Sequence, residues 1–190
     1  MVTKKYILAS GSPRRRELMA MLDVEFRVDT SRSVDETVPE GLPAEEIPAY
    51  LSRLKAEPYM PDLKEDEVLI TADTVVVLDG QVIGKPADEE GARETLRRLS
   101  GRTHRVITGV SIGQSGGKLT TFSDITEVDF DELTDEEIDY YVTKYRPLDK
   151  AGAYGIQEWI GAAAVSGIRG SFYNVMGLPI HRLFTALKFA

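Results

Sequence analysis

Near the amino terminus the run Ser10-Gly11-Ser12-Pro13-Arg14-Arg15-Arg16 combines residue types that are seldom neutral together. Ser12 is suited to cap a helix whose first position is Pro13, where a missing N–H is no loss. The arginines then fall in the first turn, although the positive end of the helix dipole favours acids there. The arrangement makes sense if an anion sits among the free N–H groups and the guanidinium forks. Read alone, an arginine run is more often a solvated face paired with surface acids. The strand–turn–helix setting shifts the reading towards anion binding. It is not a Walker A loop, because the Gly-x-x-x-x-Gly-Lys-Ser/Thr pattern is missing.

Asp73 is the second candidate, set among Ile70, Ala72, Val75 and Val76. An ionised carboxylate in such company is costly unless it is paired or binds a metal. A strand aspartate satisfied by backbone or by an ion pair is the competing reading, with about equal weight. Asp35 and Glu36 form an adjacent acidic pair in a loop. Lys55 closes a helix, and Lys85 stands in Gly84-Lys85-Pro86. Each of these is weak evidence alone. His104 and His181 have no partner at metal-ligand spacing and read as structural or exposed. Asp124, Glu127, Asp129 and Asp131 read as solvated surface, and Trp159 as core or a dimer contact.

The elements that must position these residues follow from periodicity and punctuation. Tyr6–Ala9 is a short apolar strand, and Leu18, Met21 and Leu22 recur at helical spacing after Pro13. A helix is expected over Ala44–Ala56, acidic at its start and basic at its end. Val68–Leu78 is a β-branched, apolar run broken by Asp73, and reads as a strand buried on both faces. Asp79-Gly80 turns it into a hairpin with Gln81-Val82-Ile83. Asp88 caps a helix through Leu99, and Gly101 ends it. Val106, Thr108, Val110 and Ile112 alternate as a strand, a glycine-rich turn follows, and Thr120–Phe130 returns. Thr134-Asp135-Glu136-Glu137 is a capping box for a helix towards Tyr145. A short strand through Ala162–Ile168 and a final helix from Pro179 complete a mixed α/β chain. It reads as one domain over residues 1–190, with room for two lobes around a cleft.

Composition narrows the class. The 190 residues carry 23 Lys and Arg against 31 Asp and Glu, a formal charge of −8. That balance argues against a nucleic-acid partner, which calls for a basic face. It also makes clustered cations more telling, because a polyanion must then be held by a concentrated local site. There is no cysteine, hence no disulfide framework and no thiolate chemistry. Met1–Leu8 holds too few apolar residues for a secretory signal, and no stretch suits a membrane span. A cytoplasmic setting is expected, with no membrane partner.

Taken in order along nearly the whole chain, several segments resemble the Maf family of nucleoside triphosphate pyrophosphatases. They are Leu8-Ala9-Ser10-Gly11-Ser12-Pro13-Arg14-Arg15, Ala72-Asp73-Thr74-Val75-Val76, Gly84-Lys85-Pro86 and Ser100-Gly101-Arg102-Thr103-His104. Asp149 to Gln157, Gly170-Ser171 and Asn174 to Pro179 continue the series. The resemblance implies an α/β fold with a long twisted mixed sheet flanked by helices and two lobes around a central cleft, in a homodimer. It implies metal-assisted cleavage between the α and β phosphates of a nucleoside triphosphate. By position, Asp73 matches the general base. Arg14, Arg15, Lys55 and Lys85 match triphosphate-binding cations, and Ser10 lies on the phosphate loop. Thr74 and Gln157, with Arg15, match positions tied to substrate choice. A divalent cation, Mg²⁺ or alternatively Mn²⁺, is expected at Asp73 with Asp35 and Glu36, phosphate oxygens and water completing its shell. If Asp73 binds the metal directly, its role as base is shared or mediated.

Ala153-Tyr154-Gly155-Ile156-Gln157 resembles the branch acting on dTTP and UTP, since a glutamine amide can both donate and accept towards a pyrimidine edge. Glu158-Trp159 departs from that branch, where a glycine is common after the glutamine. Two alternatives stand beside this reading. One is the same reaction on 7-methyl-GTP; the other is a triphosphate-binding regulator of cell division. The presence of Asp73, which simple binding does not require, favours an enzyme.

Overall fold

The computed structural model describes residues 4–190. Met1, Val2 and Thr3, part of the amino-terminal stretch read above as too short for a signal, lie outside the described residues. In chain order the regular elements are β1 (Lys5–Leu8), α1 (Pro13–Ala20), β2 (Phe26–Val28), α2 (Ile47–Ala56), β3 (Glu67–Leu78), β4 (Gln81–Ile83) and α3 (Glu89–Leu99). They continue with β5 (Thr103–Gln114), β6 (Leu119–Phe130), α4 (Asp135–Tyr145), α5 (Trp159–Ala163), β7 (Val165–Arg169), α6 (Phe172–Met176) and α7 (Ile180–Leu187).

The strands form one seven-stranded mixed sheet in the order β2-β1-β3-β5-β6-β7, with β4 paired to β3. β1 is parallel to both β2 and β3, with Leu8 opposite Val28 on one side and Ile70 on the other. β4 returns antiparallel on β3 and β7 lies antiparallel on β6. Among the described residues no helix is long and apolar enough to cross a membrane.

The chain divides into two compact units. The first comprises residues 1–73, 108–124 and 177–190; the second comprises 74–107 and 125–176. In the first, Ile7, Ala56, Tyr59 and Leu69 form a buried cluster that joins β1, α2 and β3. In the second, Leu96 and Leu99 of α3, Val128 and Phe130 of β6, and Ile138, Tyr141 and Val142 of α4 share a larger core. Burying such side chains contributes about 1.5–3 kcal/mol each.

Local signals account for most boundaries. Ser12 caps α1 and accepts from the Arg15 N–H, with Pro13 opening the helix. Asp88 caps α3, and Thr134 with Glu137 forms the reciprocal capping box of α4. That helix ends where Arg146 turns left-handed, one residue before Pro147. β3 covers the expected strand over Val68–Leu78. Two boundaries differ from expectation. α2 begins at Ile47 rather than Ala44, with Pro48 in its first turn. The stretch expected as a strand from Ala162 is helical over Trp159–Ala163 before β7 begins at Val165.

Candidate active site

In the first unit the helix-opening loop is tied down from inside. The Ser10 hydroxyl accepts from the Ser12 N–H at 3.3 Å, and the Ser12 hydroxyl accepts from the Arg15 N–H at 3.4 Å. The Arg15 side chain turns back under the loop. Its Nε donates to the Gly177 carbonyl at 2.8 Å, and its Nη1 donates to the Ala72 carbonyl at 2.9 Å and to Ser10 Oγ at 3.4 Å. One guanidinium therefore joins α1, the residue before Asp73, and the glycine before Leu178-Pro179. Burial pushes the Arg15 guanidinium below its ordinary value; the Asp73 carboxylate opposes that shift, Arg14 adds to it, and Glu36 opposes it. The group stays charged at any physiological pH.

Asp73 and Thr74 are the two half-exposed positions inside a strand that is otherwise buried from Val68 to Leu78. In the first unit the Lys55 ammonium donates to Asp73 Oδ1 at 2.6 Å and lies 3.0 Å from Glu36 Oε2. Lys55 comes from the last turn of α2, where the helix dipole favours a cation. Glu36 comes from the loop after β2. Two carboxylates and a lysine from three parts of the chain thus meet at one point. The cost of placing Asp73 in this strand is offset by that pairing.

Asp35 does not join them in a cluster. Its Oδ1 accepts from the Thr37 hydroxyl at 2.7 Å, and among the described residues no group of three His, Cys, Asp or Glu side chains could hold a metal. The carboxylates of Asp73 and Glu36 nevertheless fit a divalent cation. They are hard oxygen donors, they already converge on a positive charge, and Mg²⁺ is commonly bound through one or two carboxylates with phosphate oxygens and water. Arg14 is half-buried in the first turn of α1.

Thr74, Lys85 and Gln157 belong to the second unit. Thr74 follows Asp73 on β3, while Lys85 and Gln157 are exposed. The histidines read as structural or exposed are that. His104 is buried, with Nε2 2.7 Å from the Tyr154 hydroxyl, and His181 is exposed. Acids read as solvated are partly paired: Arg169 meets Glu127 and Asp129, and Arg182 meets Asp124.

The sequence reading missed two features. The first is that Arg15 spends donors on backbone carbonyls, which residue type alone does not announce. The second is the use of Glu158, whose only sequence signal was its unusual place after Gln157. Its carboxylate lies 3.2 Å from the Lys150 ammonium and accepts from the Tyr141 hydroxyl.

A capped cationic helix start beside a lysine-bridged carboxylate pair, on a mixed α/β sheet, defines a class of protein equipped to handle a phosphorylated ligand. In fold the chain is similar to a HAM1 protein from Coxiella burnetii, with a TM-score of 0.53, 15% identity, and 99% of this chain and 100% of that one covered. The chain belongs to the Maf family: the family model described as Maf-like protein matches residues 5–190. It is 55% identical over 184 residues to a dTTP/UTP pyrophosphatase of Phocaeicola vulgatus, covering 97% of this chain and 95% of that one. It is 52% identical over 189 residues to a dTTP/UTP pyrophosphatase of Porphyromonas gingivalis, covering 97% and 94%.

Proposed function

We propose that this protein hydrolyses dTTP and UTP to the monophosphate and pyrophosphate, limiting the entry of such pyrimidine nucleotides, modified ones included, into nucleic acid. The observation that carries the reading is Asp73 held at 2.6 Å by Lys55, with Glu36 on the same ammonium, in a chain 55% identical to a protein of that activity. Asp73 takes the proton of the attacking water as general base. The water oxygen bonds to the α-phosphorus, the bond from that phosphorus to the α–β bridging oxygen breaks, and pyrophosphate leaves. No covalent nucleophile is needed, since phosphoryl transfer depends mainly on positioning and charge neutralisation.

Arg14, Arg15 and Lys55 neutralise the triphosphate, with Ser10 shaping the loop that receives it. Because two of its nitrogens are committed to carbonyls, Arg15 acts as both anchor and fixed charge. Lys85 as a further cation, and Thr74 and Gln157 as base-reading groups, rest on the family resemblance. A divalent cation, Mg²⁺ or Mn²⁺, would be held by Asp73 and Glu36; when bound it would supply charge neutralisation at the phosphates. A homodimer in the cytoplasm belongs to the same proposal, and a single family model spanning residues 5–190 supports one working domain.

The test is a panel of canonical and modified triphosphates, including 7-methyl-GTP, offered to the purified protein with and without Mg²⁺. Monophosphate and pyrophosphate in equal amounts from dTTP and UTP, abolished by a chelator, is the expected result. Preference for 7-methyl-GTP would move the protein to the other substrate branch. Tight binding without product would make it a regulator.

A further inference from the structure

Glu158 is positioned to cap α5, yet its side chain makes no cap hydrogen bond. It points instead to the Lys150 ammonium, 3.2 Å away, and to the Tyr141 hydroxyl. Tyr141 in turn accepts the Gly155 N–H at 3.0 Å, and the Glu158 N–H donates to the Gly155 carbonyl at 3.0 Å. Both polar groups of Gly155 are thereby fixed, and the four residues from Gly155 to Glu158 are closed as a turn with Gln157 third. Burial first, and then the Glu158 carboxylate, push the Tyr141 phenol upward, so it remains a donor to Glu158.

Gly155 shows how tightly this turn is packed. A Cβ there would lie 2.9 Å from Gln157 Nε2, 3.0 Å from the Glu158 carboxyl carbon and 3.1 Å from Lys150 Cε. The Gln157 amide thus lies over Gly155, on the side where the Glu158 carboxyl and the Lys150 side chain also converge. Lys150 is buried, and its other carboxylate, Asp149, is mostly exposed. Glu158 is the less exposed of the two carboxylates on Lys150.

We infer that Glu158, acting through Tyr141 and Lys150, is a positioning residue that sets the Gln157 amide and with it the discrimination between pyrimidine and purine triphosphates. The inference rests on Gln157 reading the base, as proposed above. The departure from the family pattern at this position is then a built support for the base-reading turn rather than a distortion of it.

The experiment compares Glu158→Gln, which keeps shape and an acceptor for Tyr141 but loses the charge, and Tyr141→Phe, which loses only the hydroxyl. kcat and KM are measured for dTTP, UTP and GTP, with melting temperatures alongside. Each variant is expected to lose roughly 10- to 100-fold in the pyrimidine-to-purine ratio of kcat/KM, the scale of a contact misplaced by about an ångström. The loss should fall mainly on KM. The double variant should be little worse than either single one, since the two groups act as a unit. Gly155→Ala should lose selectivity in the same direction. Unchanged selectivity in variants that merely melt earlier would overturn the inference and leave Glu158 a structural residue. A wild-type enzyme that fails to prefer pyrimidines would instead defeat the base-reading role of Gln157, and the inference with it.

Discussion

In the first unit Lys55 stands between Asp73 and Glu36; in the second, Lys150 stands between Glu158 and Asp149. The two arrangements use the same groups in different surroundings. The Lys55 side chain is 21% exposed and one of its acids, Glu36, is 51% exposed. Lys150 is 9% exposed, Glu158 is 19% exposed, and a tyrosine hydroxyl adds a further bond to Glu158. In the first set the Lys55–Asp73 pair is shielded, with Asp73 14% exposed, while the Lys55–Glu36 pair opens to solvent, which screens it and lets it be exchanged at modest cost. In the second set Asp149 is equally open, at 58% exposed, but the lysine itself is buried and its inner acid is fixed by a tyrosine, so breaking the Lys150–Glu158 pair leaves a buried charge. The difference separates a place where chemistry can occur from a place that holds a loop in shape.

The sharpest way to break this contrast is Arg15→Ala. Sequence alone matched Arg15 to a triphosphate-binding cation. With its nitrogens on the Ala72 and Gly177 carbonyls, removal should lower stability by about 2–3 kcal/mol as well as activity by roughly a thousandfold. Thermal melting and pyrophosphate release check the two effects separately. An intact melting temperature would return Arg15 to a purely ligand-binding role.

Lys55→Met is expected to lower kcat/KM by about a hundredfold. With the ammonium gone, Asp73 and Glu36 should depend more on a bound cation. Added Mg²⁺ should therefore raise the melting temperature of this variant more than that of the wild type. Equal shifts would remove these carboxylates from the metal proposal.

An effect on stability alone, without loss of activity at neutral pH, sharpens the picture of the second unit's core as enclosed. Burial pushes His104 down to about 4, with a weak opposing pull from Asp129. Its stabilising contribution is fully present above the ordinary value near 6.5. As pH falls from there to about 4, the unfolded chain takes up a proton that the folded one refuses, and stability is lost. The loss is about 3 kcal/mol and levels off below pH 4. His104→Gln should flatten the melting-temperature profile across that window, read by calorimetry at a series of pH values.

Much of this was legible in sequence because it rests on short-range signals. Ser12-Pro13, Asp88, Asp79-Gly80 and the Thr134–Glu137 box each act within four residues, and each is found where expected. Asp73 was legible as an anomaly, a carboxylate in an apolar run. Its partners Lys55 and Glu36 were set with it only by the family resemblance, because both lie far along the chain and nothing local marks them. The helix at Trp159–Ala163 was missed for a related reason. It has five residues, no side-chain cap bond and too few turns for a period to show. Its preceding residue, Glu158, serves Lys150 and Tyr141 instead of the helix end, so the usual start signal is diverted to tertiary use.

The most direct test sets the two lysine–carboxylate centres against each other in one kinetic experiment on dTTP, comparing Asp73→Asn with Glu158→Gln at saturating Mg²⁺. Asp73→Asn is expected to lose about 10²–10⁴-fold in kcat while melting like the wild type and keeping KM within a few fold. Glu158→Gln should keep kcat within a few fold and raise KM. Equal kcat in Asp73→Asn and wild type would contradict a role for Asp73 as general base.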